Sequence, residues 1–143
     1  MRRMRFIGFI VIGSFLIIGC GNNSNTNSSC IEEGAGGGNI IVNVSCGNSQ
    51  SRPLYSWEDI NNDITAEQIT VARASNASKP VWGIENNPPG QNGISSPWTQ
   101  GDIGGNVNPI VETEKDLKTN VEYIVTVTKA NQTSGFKKFT ILP

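Results

Sequence analysis

The chain predicts a small all-β sandwich. Three observations carry that reading. Val121, Tyr123, Val125 and Val127 alternate strictly with more polar neighbours, as the buried face of a strand requires. Short β-branched or aromatic runs recur elsewhere, at residues 40–44, 54–57 and 69–73. Clusters of Gly, Pro and Asn separate these runs and break any helical period. The first fifty residues predict something else, namely export and attachment.

Arg2, Arg3 and Arg5 precede an uncharged, mostly apolar stretch at residues 6–18. A basic segment, a short apolar one and then a small residue form the pattern of a secretory signal. The stretch falls short of the roughly 20 apolar residues that a membrane-spanning helix needs. It ends in Ile17, Ile18, Gly19 and Cys20, which resemble the lipobox of bacterial lipoproteins.

The resemblance implies cleavage before Cys20 and a diacylglyceryl thioether on its sulfur. It places the protein in a bacterial cell envelope, with the membrane engaged through the N-terminal lipid. Gly21 stands where an aspartate often marks inner-membrane retention, so the resemblance favours the outer membrane where there are two. Each buried acyl CH₂ adds about 0.8 kcal/mol, and more than one chain is needed for stable anchoring.

Residues 21–29, rich in Asn and Ser, offer nothing to bury and read as a solvated tether. Cleavage after residue 19 leaves 124 of the 143 residues, enough for one domain. That remainder carries 8 Lys plus Arg against 12 Asp plus Glu, a formal charge of −4. No basic surface invites nucleic acid. The expected division is a signal at 1–19, a lipidated tether at 20–50 and a sandwich at 51–143.

Cys30 and Cys46 are left as a pair in a compartment where disulfides persist. A Cys30–Cys46 bridge is expected, with two free thiols in a leader as the alternative. Because both lie before residue 51, the bridge is expected to be dispensable for folding of the sandwich. The glycine run at residues 34–38 reads as a hinge.

Within the domain, strands are expected at residues 40–44, 54–57, 68–73, 80–84, 121–127 and 136–142. Residues 60–68 could instead form a helical turn or two. The long segment 85–113 is punctuated by turn residues and should contain short irregular strands tied down by Trp98.

Residues 117–127, with Leu117, then Tyr123 six positions on, then alternating valines, resemble the sixth-strand signature of fibronectin type III domains. Tyr55 and Trp57 are similar to the tryptophan-bearing second strand of that family. The resemblance implies an Ig-like or fibronectin type III-like sandwich. In it Trp57 fills the core and Tyr123 hydrogen-bonds the backbone near Leu117 as a tyrosine corner.

Chemistry is sparse. The chain has no histidine, which leaves a serine or cysteine nucleophile without its usual base, so no catalytic residue, metal site or cofactor is expected. Asp59, Asn61 and Asp63 begin like a calcium loop, but Ile64 and Thr70 stand where glycine and an acidic ligand are required. Glu112, Glu114 and Asp116 alternate and would be the carboxylates of a small hydrolase, a remote alternative. Trp82 and Trp98 are either core residues or exposed rings suited to stacking on a sugar. The favoured expectation is a non-enzymatic, lipid-anchored protein whose sandwich serves interaction or spacing, with a protein or glycan partner.

Overall fold

The computed structural model of the protein describes residues 30–46 and 51–143. The signal and Cys20 lie outside the described residues. Among the described residues eleven strands run β1 (Cys30–Gly38), β2 (Ile40–Ser45), β3 (Leu54–Asp59), β4 (Thr65–Ala66), β5 (Gln68–Arg73), β6 (Pro80–Asn86), β7 (Ile94–Ser95), β8 (Trp98–Thr99), β9 (Val107–Glu112), β10 (Glu122–Thr128) and β11 (Ser134–Ile141). The fold is all-β, as predicted. Residues 60–68 form no helix; β4 and a turn at Asp59 to Asp63 occupy that stretch.

Six strands make one antiparallel sheet in the order β1-β11-β10-β5-β6-β9, and three make a second, β2-β3-β8. A two-stranded ribbon, β4-β7, closes one end. Period-2 alternation decides which side chains meet between the sheets. Ile69, Val71, Trp82, Ile84, Tyr123, Val125, Val127, Phe139 and Ile141 come from the large sheet, facing Ile40, Val42, Val44, Tyr55 and Trp57 from the small one. Aromatic rings fill the centre, with Tyr55 tilted against both Trp82 and Phe139, and Tyr123 stacked on Phe139. Trp57 is 2% exposed, as its core role predicts.

The domain begins earlier than residue 51, which corrects the sequence expectation. β1 pairs with β11 from Cys30 opposite Ile141 to Gly38 opposite Gly135. β2 pairs with β3 along its whole length and contributes three core side chains. The glycine run, expected as a hinge, is strand backbone, irregular between Glu33 and Gly37, and at Gly36, Gly37 and Gly38 neighbours occupy the place of a side chain. A Cβ on Gly37 would overlap the ring of Phe136, and one on Gly38 would overlap the carbonyl of Ser134. Glycine composition alone cannot separate a linker from a strand covered by a cross-strand aromatic.

Cys30 and Cys46 are bonded, with Cα atoms 5.5 Å apart. Both are buried, at 6% and 2% exposure. The bond joins the start of β1, in the large sheet, to the residue after β2, in the small one. Glu32 reinforces this flank by accepting the Val44 N–H at 2.7 Å and pairing with Lys137 at 3.0 Å. The bridge therefore lies within the core rather than in a leader beside it.

Register defines two poles. Cys30, Ile141, Tyr123 and Arg73 line up at one, and Gly38, Gly135, Thr128, Gln68 and Glu85 at the other. β1 covers the six steps from Ile141 to Gly135 on its partner, so at about 3.3 Å per step it carries the chain about 20 Å from the first pole to the second. The pole holding Cys30 is proximal to the N-terminal segment; the other is distal.

Candidate functional site

At the proximal pole a buried polar network ties the loops to the core. Tyr123, fully buried, accepts the Lys118 N–H at 3.0 Å and donates to Glu114 Oε2 at 2.8 Å. The expected backbone bond near Leu117 is therefore present, and Leu117 itself is buried. Arg73 binds the other oxygen of Glu114. Burial opposes the Glu114 charge, but the bonds from Tyr123 and Arg73 outweigh it and hold the carboxyl below its usual range. Burial also pushes the Tyr123 phenol up to about 12, with Glu114 beside it adding to the effect.

Gln100, completely buried, extends the network by accepting from the Tyr55 hydroxyl at 2.8 Å and donating to the Glu114 carbonyl at 3.1 Å. Asp116 pairs with Arg52 at 2.6 Å near the surface. Of the three alternating carboxylates, two are thus committed to guanidinium groups, and Glu112 is an exposed residue at the end of β9. The geometry does not bring them together as a carboxylate pair facing a cleft.

At the distal pole the calcium-like residues have a different occupant. Lys129 Nζ lies 2.7 Å from Asp59 Oδ2 and 2.6 Å from Asp63 Oδ2, and also donates to the Asp63 carbonyl at 3.2 Å. Asp59 Oδ1 accepts the N–H groups of Asn61 and Asp63, folding the turn around the ammonium. Asn62 takes a left-handed conformation there, which asparagine tolerates. Hydrogen bonding to Lys129 lowers both carboxyls, Asp63 to about 2. Burial works against the Lys129 charge, and the two aspartates more than compensate.

Lys129 was missed by the sequence reading, though a signal for it exists. It continues the inward parity of Tyr123, Val125 and Val127, so a cation at that position demands carboxylates from facing loops.

Beside this clamp two clefts, of about 530 and 460 Å³, share Glu67, Gly90, Lys129 and Ala130. The ridge between them is Glu67, whose carboxylate accepts the Gly90 N–H at 3.0 Å. Asn86 fixes the same loop by donating through Nδ2 to Glu67, Pro88 and Gln91, the last at 2.7 Å. The larger cleft is also lined by Gln68, Glu85, Thr128 and Gln132.

The two tryptophans proposed for ligand stacking part company. Trp82 is fully buried at the centre of β6, so it cannot meet a ligand, and this corrects the sequence expectation. Residues 80–84 adjoin turn-forming sequence, which obscured that the run is an interior strand. Trp98 lies opposite Tyr55 in β8, partly buried against the core, and its Nε1 donates to the Asp102 carbonyl at 3.2 Å. Some of its ring lines a shallow cleft with Pro97 and Ile103. The two indoles belong to different sheets and do not form a shared platform. Comparisons with protein-family models, curated proteins and solved structures give no match for this chain.

Proposed function

We propose that this is a non-enzymatic, lipid-anchored protein of the bacterial cell envelope, in which a fibronectin type III-like sandwich presents its distal pole to a partner. The polarity of β1 carries the reading. The sandwich begins at Cys30, ten residues after the lipobox-like Cys20, and that first strand runs away from the attachment segment. The β3–β4, β6–β7 and β10–β11 loops therefore sit farthest from it. Loops gathered at one end of a sandwich are a common recognition surface. The tyrosine corner and the order β11-β10-β5-β6 facing β2-β3-β8 support the family resemblance.

The use of polar groups supports a binding rather than a catalytic role. Glu114, Asp116, Asp59 and Asp63 are each engaged by a basic side chain of the same domain.

The test has two arms. Mass spectrometry of the protein from membranes should find Cys20 at the N-terminus with acyl mass, and Cys20→Ala should leave an unprocessed precursor. Photo-crosslinking residues placed at Gln132 and, as a proximal control, at Thr119 should then capture a partner from the distal position only. Normal cleavage without acylation would overturn the anchoring, and equal or absent capture at both positions would overturn the orientation.

A further inference from the structure

Among the described residues, the non-glycine residues with positive φ are Asn62, Asn92, Asn120 and Gln132. Asparagine is at home in the left-handed region, and glutamine is not. Gln132 holds a φ of 65° in the β10–β11 turn, where Gly or Asn would close the same loop at lower cost. Its side chain gives the turn nothing in return. The turn is closed by the Gln132 N–H donating to the Lys129 carbonyl at 2.9 Å, and by Asn131, whose Oδ1 accepts from both the N–H and the hydroxyl of Thr133. Gln132 lines the larger distal cleft instead. A local rule broken without gain to the fold marks a side chain kept for use.

Three neighbours in the cleft wall are equally unengaged. Thr128 of β10 stands opposite Gln68 of β5, and Gln68 opposite Glu85 of β6. The residues beside them, Val127, Ile69 and Ile84, are buried inward, so this row faces out, at about 4.8 Å from strand to strand. None of the four side chains makes a hydrogen bond or ion pair among the described residues. Glu67, Asn86 and Lys129 in the same wall are each engaged within the domain.

The two amides and the hydroxyl both donate and accept, and the carboxylate only accepts. From this mixture we infer that the cleft lined by Gln68, Glu85, Thr128 and Gln132 binds a neutral sugar unit. This deepens the interaction role proposed above and rests on it. A pyranose presents neighbouring hydroxyls, each a donor and an acceptor, so one hydroxyl can donate to Glu85 while the next accepts from Gln68 beside it. A simple cation would leave the amide N–H groups unanswered, and an acidic sugar would set its carboxylate against Glu85 and Glu67. An extended peptide is served by the edge of a sheet, whereas this row lies on an outer face. The volume of about 530 Å³ falls within the range of small-ligand sites.

The experiment is amide-resolved NMR on the intact protein in phosphocholine micelles, titrated with the methyl glycosides of glucose, galactose and mannose. At least one should shift the amides of Gln68, Glu85, Thr128 and Gln132 together. The uronic acid of the responding sugar should bind more weakly, and Glu85→Gln should narrow that gap. Gln132→Gly should melt no lower than the native chain, because glycine takes the left-handed turn freely. The same variant should weaken binding about three- to tenfold, the scale of one hydrogen bond. Glu58→Gln, on the outer face of β3, should change neither. Tighter binding of a tetrasaccharide of the responding sugar assigns a glycan chain as the occupant, and equal binding a single sugar; both support the inference.

Silence from all three glycosides, shifts centred elsewhere, or full binding by Gln132→Gly would overturn it. A lower melting point for Gln132→Gly would do the same, because the side chain would then serve the fold. So would a stronger response to N-acetylglycine methylamide, since the cleft would then read peptide. If the distal crosslink still captures a partner while these titrations fail, the interaction role survives and only the sugar assignment falls.

Discussion

The hydroxyl of Tyr123 accepts the Lys118 N–H at 3.0 Å, so a single side chain fastens strand β10 to the loop that leads into it. The same oxygen donates to Glu114, which in turn holds Arg73 at the end of β5. Three segments of the proximal pole therefore depend on one phenol.

Replacing Tyr123 with Phe should strand both partners and lower stability by about 1–3 kcal/mol. Alanine should cost about 3–5 kcal/mol, because the stacked contact with Phe139 disappears as well. Denaturant melts of the two variants measure the difference. Since the folded phenol is raised to about 12 from its ordinary 10, its contribution is complete below pH 10 and fades as pH rises toward 12. Burial raises the Tyr55 phenol as well, so ultraviolet titration should find both phenols ionising late, and Tyr123→Phe should remove one of them together with its share of the alkaline loss of stability.

Reduction of Cys30–Cys46 should weaken the whole sandwich, contrary to what the sequence alone suggested. Removing a native disulfide from a small domain costs about 2–5 kcal/mol. The paired Cys30→Ser and Cys46→Ser variant should unfold at lower denaturant in a single transition that includes the signal from Trp57. A transition in which the tryptophan signal is unmoved would mean that β1 and β2 are peripheral.

The Lys129 clamp predicts a dependence on acid. With Asp63 held near 2, its pairing contributes fully above pH 4 and is lost as pH falls from there toward 2. Lys129→Met should flatten the stability profile across that window and leave Asp59 and Asp63 facing each other without a cation. Thermal melts of both proteins from pH 5 to about 2 would check this.

Gly135→Ala should be costly although Gly135 has an ordinary backbone. An added Cβ would overlap the Ile40 carbonyl oxygen, where the corner between β1 and β2 crosses β11. Gly104→Ala, which meets nothing within 4 Å, is the matched control. Overpacking of this kind typically costs about 1–3 kcal/mol, and the two melting curves should differ by that order.

Legibility in the sequence followed local pattern. The strands at residues 121–127 and 136–142, the buried Trp57 and the Tyr123 corner could be read because alternation and spacing act over a few residues. β1 could not, since its glycines are chosen by Phe136 and Ser134, about a hundred positions away. Trp82 looked available because turn-forming residues flank it, and its burial depends on β5 and β9 pairing to either side. The distal cleft was illegible for the same reason. Glu67, Glu85 and Lys129 come from three separate strand ends, and no short motif announces their meeting.

The antiparallel pairing of β1 with β11 has a mechanical consequence. A pull exerted on Cys30 from its N-terminal side acts along the strand, whereas the ladder bonds lie across it. Such a load strains many bonds together in shear instead of opening them one after another like a zipper. Through the disulfide the same force reaches Cys46 and the second sheet. A domain held at that pole would resist extension as one body, with its loops at the far end left free to keep hold of whatever they grip.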